Sequence, residues 1–472
     1  WDYYESRGLA NIPESLFREH PEFYAEIGGE RTMHEEGNRR AYCITNPGFV
    51  TYVAERLGRR VRNVKGPIVV GLGHTDSANR CLCDVCKASY DHIGLAGTYM
   101  TFDNAVAKQL AAVNPDAIVD TLSYGMTFAP TPVKMAPNVR VTWCPISGCY
   151  AHAFGQCAVN RDRGHLEKLT RWQANTDQLQ IWYYHYQSDN LMPHLRLNAT
   201  RQNFQEFHRR GIQALFVESY GGTACLRTHP VPDGDKLIPA FGAADGGEYF
   251  TVPMELDHLR SYILCRLLWN PDYDIETGIR EFCHGYYGAA GPDMVEYVLA
   301  VESLDSYART TGSYEQYDGV HQGCGTAPEL KWDVTGRLNA LFDRAEARVA
   351  TNPVPLRRIQ MARLPLQLSI LCYAAPDDPL RQPAFDGFFR LTEELGLKVI
   401  NRSGISYERM SLADFKKLVS DPTKIVRRGR EPLGANLLRN SDFELDQDAD
   451  GIPDGWAATG KYNPEGYDLD PP

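Results

Sequence analysis

Five short apolar runs recur through the first half of the chain, and each ends in glycines, aromatics or an acid. They are IVVGLG from residue 68, AIVDTLSY from 117, VRVTWCPI from 139, LQIWYYHY from 179 and IQALFVESY from 212. Nearly continuous apolar runs of this length read as strands buried on both faces, the habit of parallel sheets. Helical patterns lie beside them. Residues 48–60 place Val50, Val53, Ala54 and Leu57 on one face, residues 98–113 place Phe102, Val106, Leu110 and Val113 near helical spacing, and residues 203–210 stop at Gly211. Alternating strands and helices predict parallel βαβ units, so the fold class is α/β. The gap after the second run, APTPVKMAP, is Pro-rich and too short for an ordinary helix, so one βα unit is expected to lack its helix. Five strands do not close a TIM-type (β/α)8 barrel of eight. The chain begins abruptly at Trp1, and the expectation is a partial barrel whose first strands precede it.

The stretch at residues 66–86, GPIVVGLGHTDSANRCLCDVC, carries the densest chemistry. Its strand breaks at Gly71-Leu72-Gly73 and delivers His74, Thr75 and Asp76 onto a loop. Barrels place catalytic groups at such C-terminal strand ends. The plain alternative is that Asp76 caps the next helix and the glycines only turn the chain. Glu218 follows Leu215-Phe216-Val217 directly. A carboxylate poorly solvated at a strand end has its pKa raised, which suits a general acid; the alternative is a carboxylate paired with an arginine. Tyr124, Trp143, Trp182, Tyr184 and His185 lie at other strand ends. They are candidates for stacking on and hydrogen bonding to sugar, or for plain core packing. Side chains alternate along a strand, so only some of the aromatics after residue 181 can face a cleft.

Composition narrows the classes. Net charge is −11 and no basic stripe exists, which argues against a nucleic-acid partner. No apolar run reaches membrane-spanning length. The 26 tyrosines and 7 tryptophans are enough to furnish a sugar-binding cleft. From residue 253 the pattern turns helical, and Pro432 to Gly434 reads as a linker. The expected division is a partial barrel over 1–252, a helical region over 253–430 and the start of a β-sandwich module over 435–472. In that last segment Asp446, Asp448, Asp450 and Asp454 alternate around a glycine, a pattern able to wrap calcium; an acidic, solvated linker is the alternative. Twelve cysteines are present, and Cys81, Cys83 and Cys86 are closely spaced. Those three suit a structural zinc site if Cys43 or a histidine supplies the fourth ligand. Disulfides are the alternative, with Cys43 and the Cys149/Cys157 pair as partners.

The run of motifs HPEFYAEIGGER, CITNP, GLGHTD with C-x-C-x-x-C, WCPISGCYAHAFGQCAVN, IWYYHY, ALFVESYGG, YILCRLLWNPDYD and EFCHGYYG resembles a bacterial domain family long described as of unknown function. The resemblance spans residues 21–297. Some members of that family act as endo-β-N-acetylglucosaminidases on complex N-glycans, and the family is similar to the α-glucuronidase and hexosaminidase barrels. The resemblance therefore implies an exported glycoside hydrolase acting on a glycan or glycoprotein, without a catalytic cofactor. It also implies that Ile68 opens the fourth barrel strand and Leu215 the eighth. Related barrels often carry two adjacent acids after the fourth strand; here the sequence is His74-Thr75-Asp76, which weakens the case for a substrate-assisted mechanism and leaves Asp76 equally suited to binding a sugar hydroxyl.

Overall fold

The computed structural model describes residues 9, 12–33, 40–74, 79–150, 152–157, 160–161, 164–185, 195–212, 214–218, 256–310, 332–374, 376–394, 399–401 and 409–421. Asp76, residues 219–255 and the tail from 422 onward, with Asp446, Asp448, Asp450 and Asp454, lie outside them.

The chain opens with a short helix, α1 (Ser15–Glu19), and a two-stranded hairpin, β1 (Glu26–Ile27) and β2 (Glu30–Arg31). Gly28 and Gly29 form its turn, both at positive φ, the conformation glycine adopts without strain. Helix α2 (Pro47–Val61) follows. Asn46 caps it, accepting from the Gly48 and Phe49 amides at 2.8 and 3.2 Å, and Pro47 fills the first turn where no amide is needed.

Five parallel strands come next: β3 (Ile68–Gly71), β4 (Ala117–Ser123), β5 (Val139–Trp143), β6 (Leu179–Tyr184) and β7 (Ala214–Glu218). They pair in sequence order, β3-β4-β5-β6-β7. The crossovers carry α3 (Asp84–Ala111), α4 (His165–Asn175) and α5 (Leu197–Arg209), while only a 3₁₀ turn, Gly125–Thr127, lies between β4 and β5. Right-handed crossovers that always step to the next strand put every helix on one face of the sheet. The result is a curled half-barrel sheet, consistent with part of a barrel.

The second half is helical: α6 (Asp257–Trp269), α7 (Ile275–Tyr287), α8 (Gly291–Thr310), α9 (Trp332–Arg348), α10 (Pro353–Tyr373) and α11 (Arg381–Glu394). A small hairpin, β8 (Val399–Asn401) and β9 (Arg409–Ser411), and α12 (Leu412–Ser420) follow. Helices α6 and α7 meet closely at Gly278, where an added Cβ would lie 2.6 Å from Ile263 Cδ1. One continuous apolar core runs from Phe49 and Val119 through Trp143, Ile181 and Phe207 to Ile263, Tyr297 and Phe342. The helical region thus shares its core with the sheet. None of the helices in the described residues is long and apolar enough to cross a membrane.

Candidate functional site

Strand register assigns the faces. Asp120 pairs with Arg140, Leu122 with Thr142, Thr142 with Gln180, Trp182 with Phe216 and Tyr184 with Glu218. Because side chains alternate, these residues share one face, and the intervening ones share the other. Tyr183 packs edge-on against Phe204 and Phe207 of α5, which identifies its side as the helix side. Asp120, Arg140, Thr142, Gln180, Trp182, Tyr184 and Glu218 therefore line the opposite face, the one the crossover helices leave open, where Arg140 and Glu218 are half-buried and the others buried.

Glu218 ends β7 on that face and is half-buried. Its Oε2 accepts a hydrogen bond from Trp182 Nε1 at 2.8 Å. The Trp182 ring stacks on Tyr184 at 5.9 Å and meets Phe216 edge-on at 4.5 Å. Burial pushes the Tyr184 phenol well above its usual range, so it stays protonated, and the nearby Glu218 carboxylate pushes the same way. Tyr124 in turn stacks on His74 at 6.5 Å, and His74 Nε2 lies 2.6 Å from Thr127 Oγ1. Thus the ends of β3, β4, β6 and β7 bring His74, Tyr124, Tyr184, Trp182 and Glu218 into one neighbourhood.

Two sequence candidates lie elsewhere. Trp143 is fully enclosed on the helix side against Phe128, Phe154 and His165. Its parity opposes that of Thr142, so it packs the core rather than facing a cleft. His185 is also on the helix side, with Nδ1 3.2 Å from Thr200 Oγ1. Burial, then the charges of Arg260 and Arg196, hold its pKa well below the usual histidine range, so it is neutral. Its backbone N–H donates to the Glu218 carbonyl at 2.8 Å, which steadies the strand end without touching the cleft. Asp76 is outside the described residues.

The open face also holds groups that the strand-end argument passes over. Asp120 is 3% exposed, and its Oδ1 accepts from Arg140 Nε at 2.7 Å and Thr142 Oγ1 at 2.8 Å. Gln180 Nε2 continues the line to Thr142 Oγ1 at 3.2 Å. Burial pushes the Asp120 carboxyl up, and Arg140 and Thr142 counter that. The signal was a charged residue inside each of two apolar runs, AIVDTLS and VRVTW. On the helix side, Asp103 of α3 is enclosed beside Thr121, and burial pushes its pKa up to about 8.

Among the described residues, two groups of metal-ligand side chains are buried. Cys43, Cys81, Cys83 and Cys86 lie with their Sγ atoms all within 4.8 Å of one another. Cys149, His152 and Cys157 form a group of three whose ligand atoms also lie within 4.8 Å of one another, with Cys149 Sγ 3.4 Å from His152 Nδ1. The cysteines of both groups are free of disulfides.

Residues 1–299 match the family described as Domain of unknown function (DUF4838). The chain belongs to that family. The match takes in the hairpin, the cysteine group, the whole parallel sheet and the first two helices of the helical region. No curated protein matches this DUF4838 chain. Among solved structures it is similar to a GH138 enzyme described as targeting pectin rhamnogalacturonan II, with 10% identity and a TM-score of 0.34. That alignment covers 82% of this chain and 55% of the other, so the chain spans about half the length of that enzyme.

Proposed function

We propose that this protein is a glycoside hydrolase in which Glu218 is the proton donor. The observation that carries the reading is the setting of Glu218: a carboxylate at the C-terminal end of a parallel strand, on the open face, hydrogen-bonded to the neutral Trp182 indole. Glycosidic cleavage needs an acid at the leaving oxygen and a flat apolar surface for the pyranose ring. Trp182 and Tyr184 stand beside the acid, and their edges, 8% and 5% exposed, are the aromatic surface on offer. His74 and Tyr124 offer polar contacts at the neighbouring strand ends. Asp76, in the loop after His74, is the proposed second acidic group. The substrate class is an N-acetylglucosamine-containing glycan, on the strength of the motif resemblance, and the expected setting is outside the cytoplasm.

The test is turnover of N-glycoproteins and of aryl glycosides by the full chain, run beside Glu218→Gln. Release of a reducing sugar that the variant abolishes supports the reading. A chain that binds glycans but releases no sugar from any of them makes the protein a glycan-binding barrel instead.

A further inference from the structure

We propose that Cys43, Cys81, Cys83 and Cys86 hold one zinc ion as four thiolates, and that the ion fastens the β1–β2 hairpin and the segment before α2 to the start of α3. The distances fit a tetrahedral ion. Bonds of about 2.3 Å to zinc set neighbouring sulfurs about 3.8 Å apart. Cys43 Sγ is 3.8 Å from both Cys83 Sγ and Cys86 Sγ. A disulfide needs about 2.05 Å, so the sulfurs are spaced for a shared ion rather than for a bond.

The surroundings suit thiolates. Cys81 Sγ receives the Glu26 amide and Arg31 Nη1, each at 3.3 Å. Thr45 Oγ1 lies 3.1 Å from Cys86 Sγ. Donors aimed at sulfur stabilise the charged ligand and fix its orientation. Four thiolates around zinc leave two negative charges, and the Arg31 guanidinium offsets one of them. Cys83 is the N-cap of α3 and Cys86 lies in its first turn, where the exposed amides favour negative charge.

The local packing also needs a fastening. Apart from the cysteines, only Ala25, Ala41, Ile27 and Tyr90 form this satellite cluster. Two alanines and the edges of two larger side chains bury little area at the hairpin itself, so backbone bonds such as Leu82 N–H to the Glu26 carbonyl and the proposed ion carry its attachment there. Cys43 stands 38 residues before Cys81, so one ion would join segments distant in sequence. This inference stands independently of the hydrolase reading.

The test is metal analysis of the full chain purified without added metal. About one equivalent of zinc per chain is expected, falling at least tenfold in Cys43→Ser and Cys86→Ser. Cys149→Ser, in the other sulfur group, should retain it. Because the serine variants can fail to fold, the unmutated chain is also exchanged with cobalt, and the intense visible bands of a tetrahedral thiolate site are expected. Cys43→His keeps four ligands, and should keep the ion with those bands displaced. A strong chelator should lower the melting temperature by about 10 °C. Less than a tenth of an equivalent after refolding with zinc, a disulfide at Cys43 in a peptide map, or zinc lost with Cys149→Ser and kept in Cys86→Ser would each overturn the proposal.

Discussion

The centre of the sheet and its β7 edge each present a carboxylate on the open face, and the two differ in how far they are enclosed. Asp120 is enclosed, ion-paired with Arg140 and bonded by Thr142. Glu218 is half-buried, and its Oε2 is held by the neutral indole of Trp182. A carboxylate locked to a guanidinium has its charge neutralised in place and cannot readily exchange a proton. A half-buried one at the end of a strand can reach a substrate. The difference teaches that position on the open face does not make a residue chemical; enclosure decides. It predicts that the two sites separate cleanly, Glu218 governing turnover and Asp120 governing stability.

The largest effect should come from Glu218→Gln. On substrates with poor leaving groups, kcat/KM is expected to fall about 10²- to 10⁴-fold, roughly 3–5.5 kcal/mol, and to fall less on activated aryl glycosides. Melting should be nearly unchanged. Equal activity of variant and parent on both substrate kinds would remove Glu218 from the chemistry and erase the contrast.

Arg140→Met is the converse. It leaves Asp120 buried and unpaired, and chemical denaturation should show a loss of about 3–5 kcal/mol. Adding Asp120→Asn should recover part of it, a coupling that a double-mutant cycle reads directly. Turnover per folded molecule should hold. A stable Arg140→Met chain with crippled kcat would mean that the centre of the sheet takes part in the reaction.

Asp103 sharpens the comparison from the helix side, as an enclosed carboxylate beside a neutral hydroxyl. Its folded pKa, pushed up to about 8, exceeds its ordinary value of 3.8. The folded state therefore binds the proton more tightly, and the associated stability is present in full below pH 3.8 and lost as pH rises through about 8. Relative to Asp103→Asn, the parent should lose about 2–3 kcal/mol between pH 5 and pH 7. Parallel stability–pH curves for the two chains would show that Asp103 does not titrate as its burial demands.

The smallest effect is expected from Trp182→Phe, which keeps a ring but deletes the N–H donated to Glu218. A loss of about 5- to 10-fold in kcat/KM corresponds to one hydrogen bond of about 1–1.5 kcal/mol. No change would mean that the indole only packs.

Much of the sheet was legible because parallel strands buried on both faces are written as apolar runs. All five runs became strands; residues 213, 219 and 220 of the last lie outside the described residues. Helices were harder. Residues 98–113 were read as a helix, but α3 begins at Asp84, and Gly94 at positive φ interrupts it; the first half hid behind the cysteines. Helix α4, with its His165 start after a left-handed Gly164, carried no cap to announce it. The site was legible in part. Glu218, Trp182 and Tyr184 could be proposed from strand ends, but separating them from Trp143 and His185 required the register between strands, a non-local fact. Three cysteines announced their group by spacing, whereas choosing Cys43 over a histidine as the fourth needed the fold.

Helix α5 was read from residue 203, yet it starts at Leu197. Arg196 stands at its N-cap in a left-handed conformation and makes no side-chain cap. The helix is capped from far away: the Glu302 carboxylate of α8 accepts the amides of Leu197 and Asn198 at 3.2 and 2.8 Å, and the Asn198 side chain at 3.1 Å. That contact makes residue 252 a poor place to cut. A fragment ending there would leave the connector between β6 and β7 with bare amides at its start, and the strand bearing Glu218 would be delivered by a fraying helix. The sheet and the helical region are thus one unit for engineering, joined by a shared core and by an acid more than a hundred residues downstream of the turn it completes.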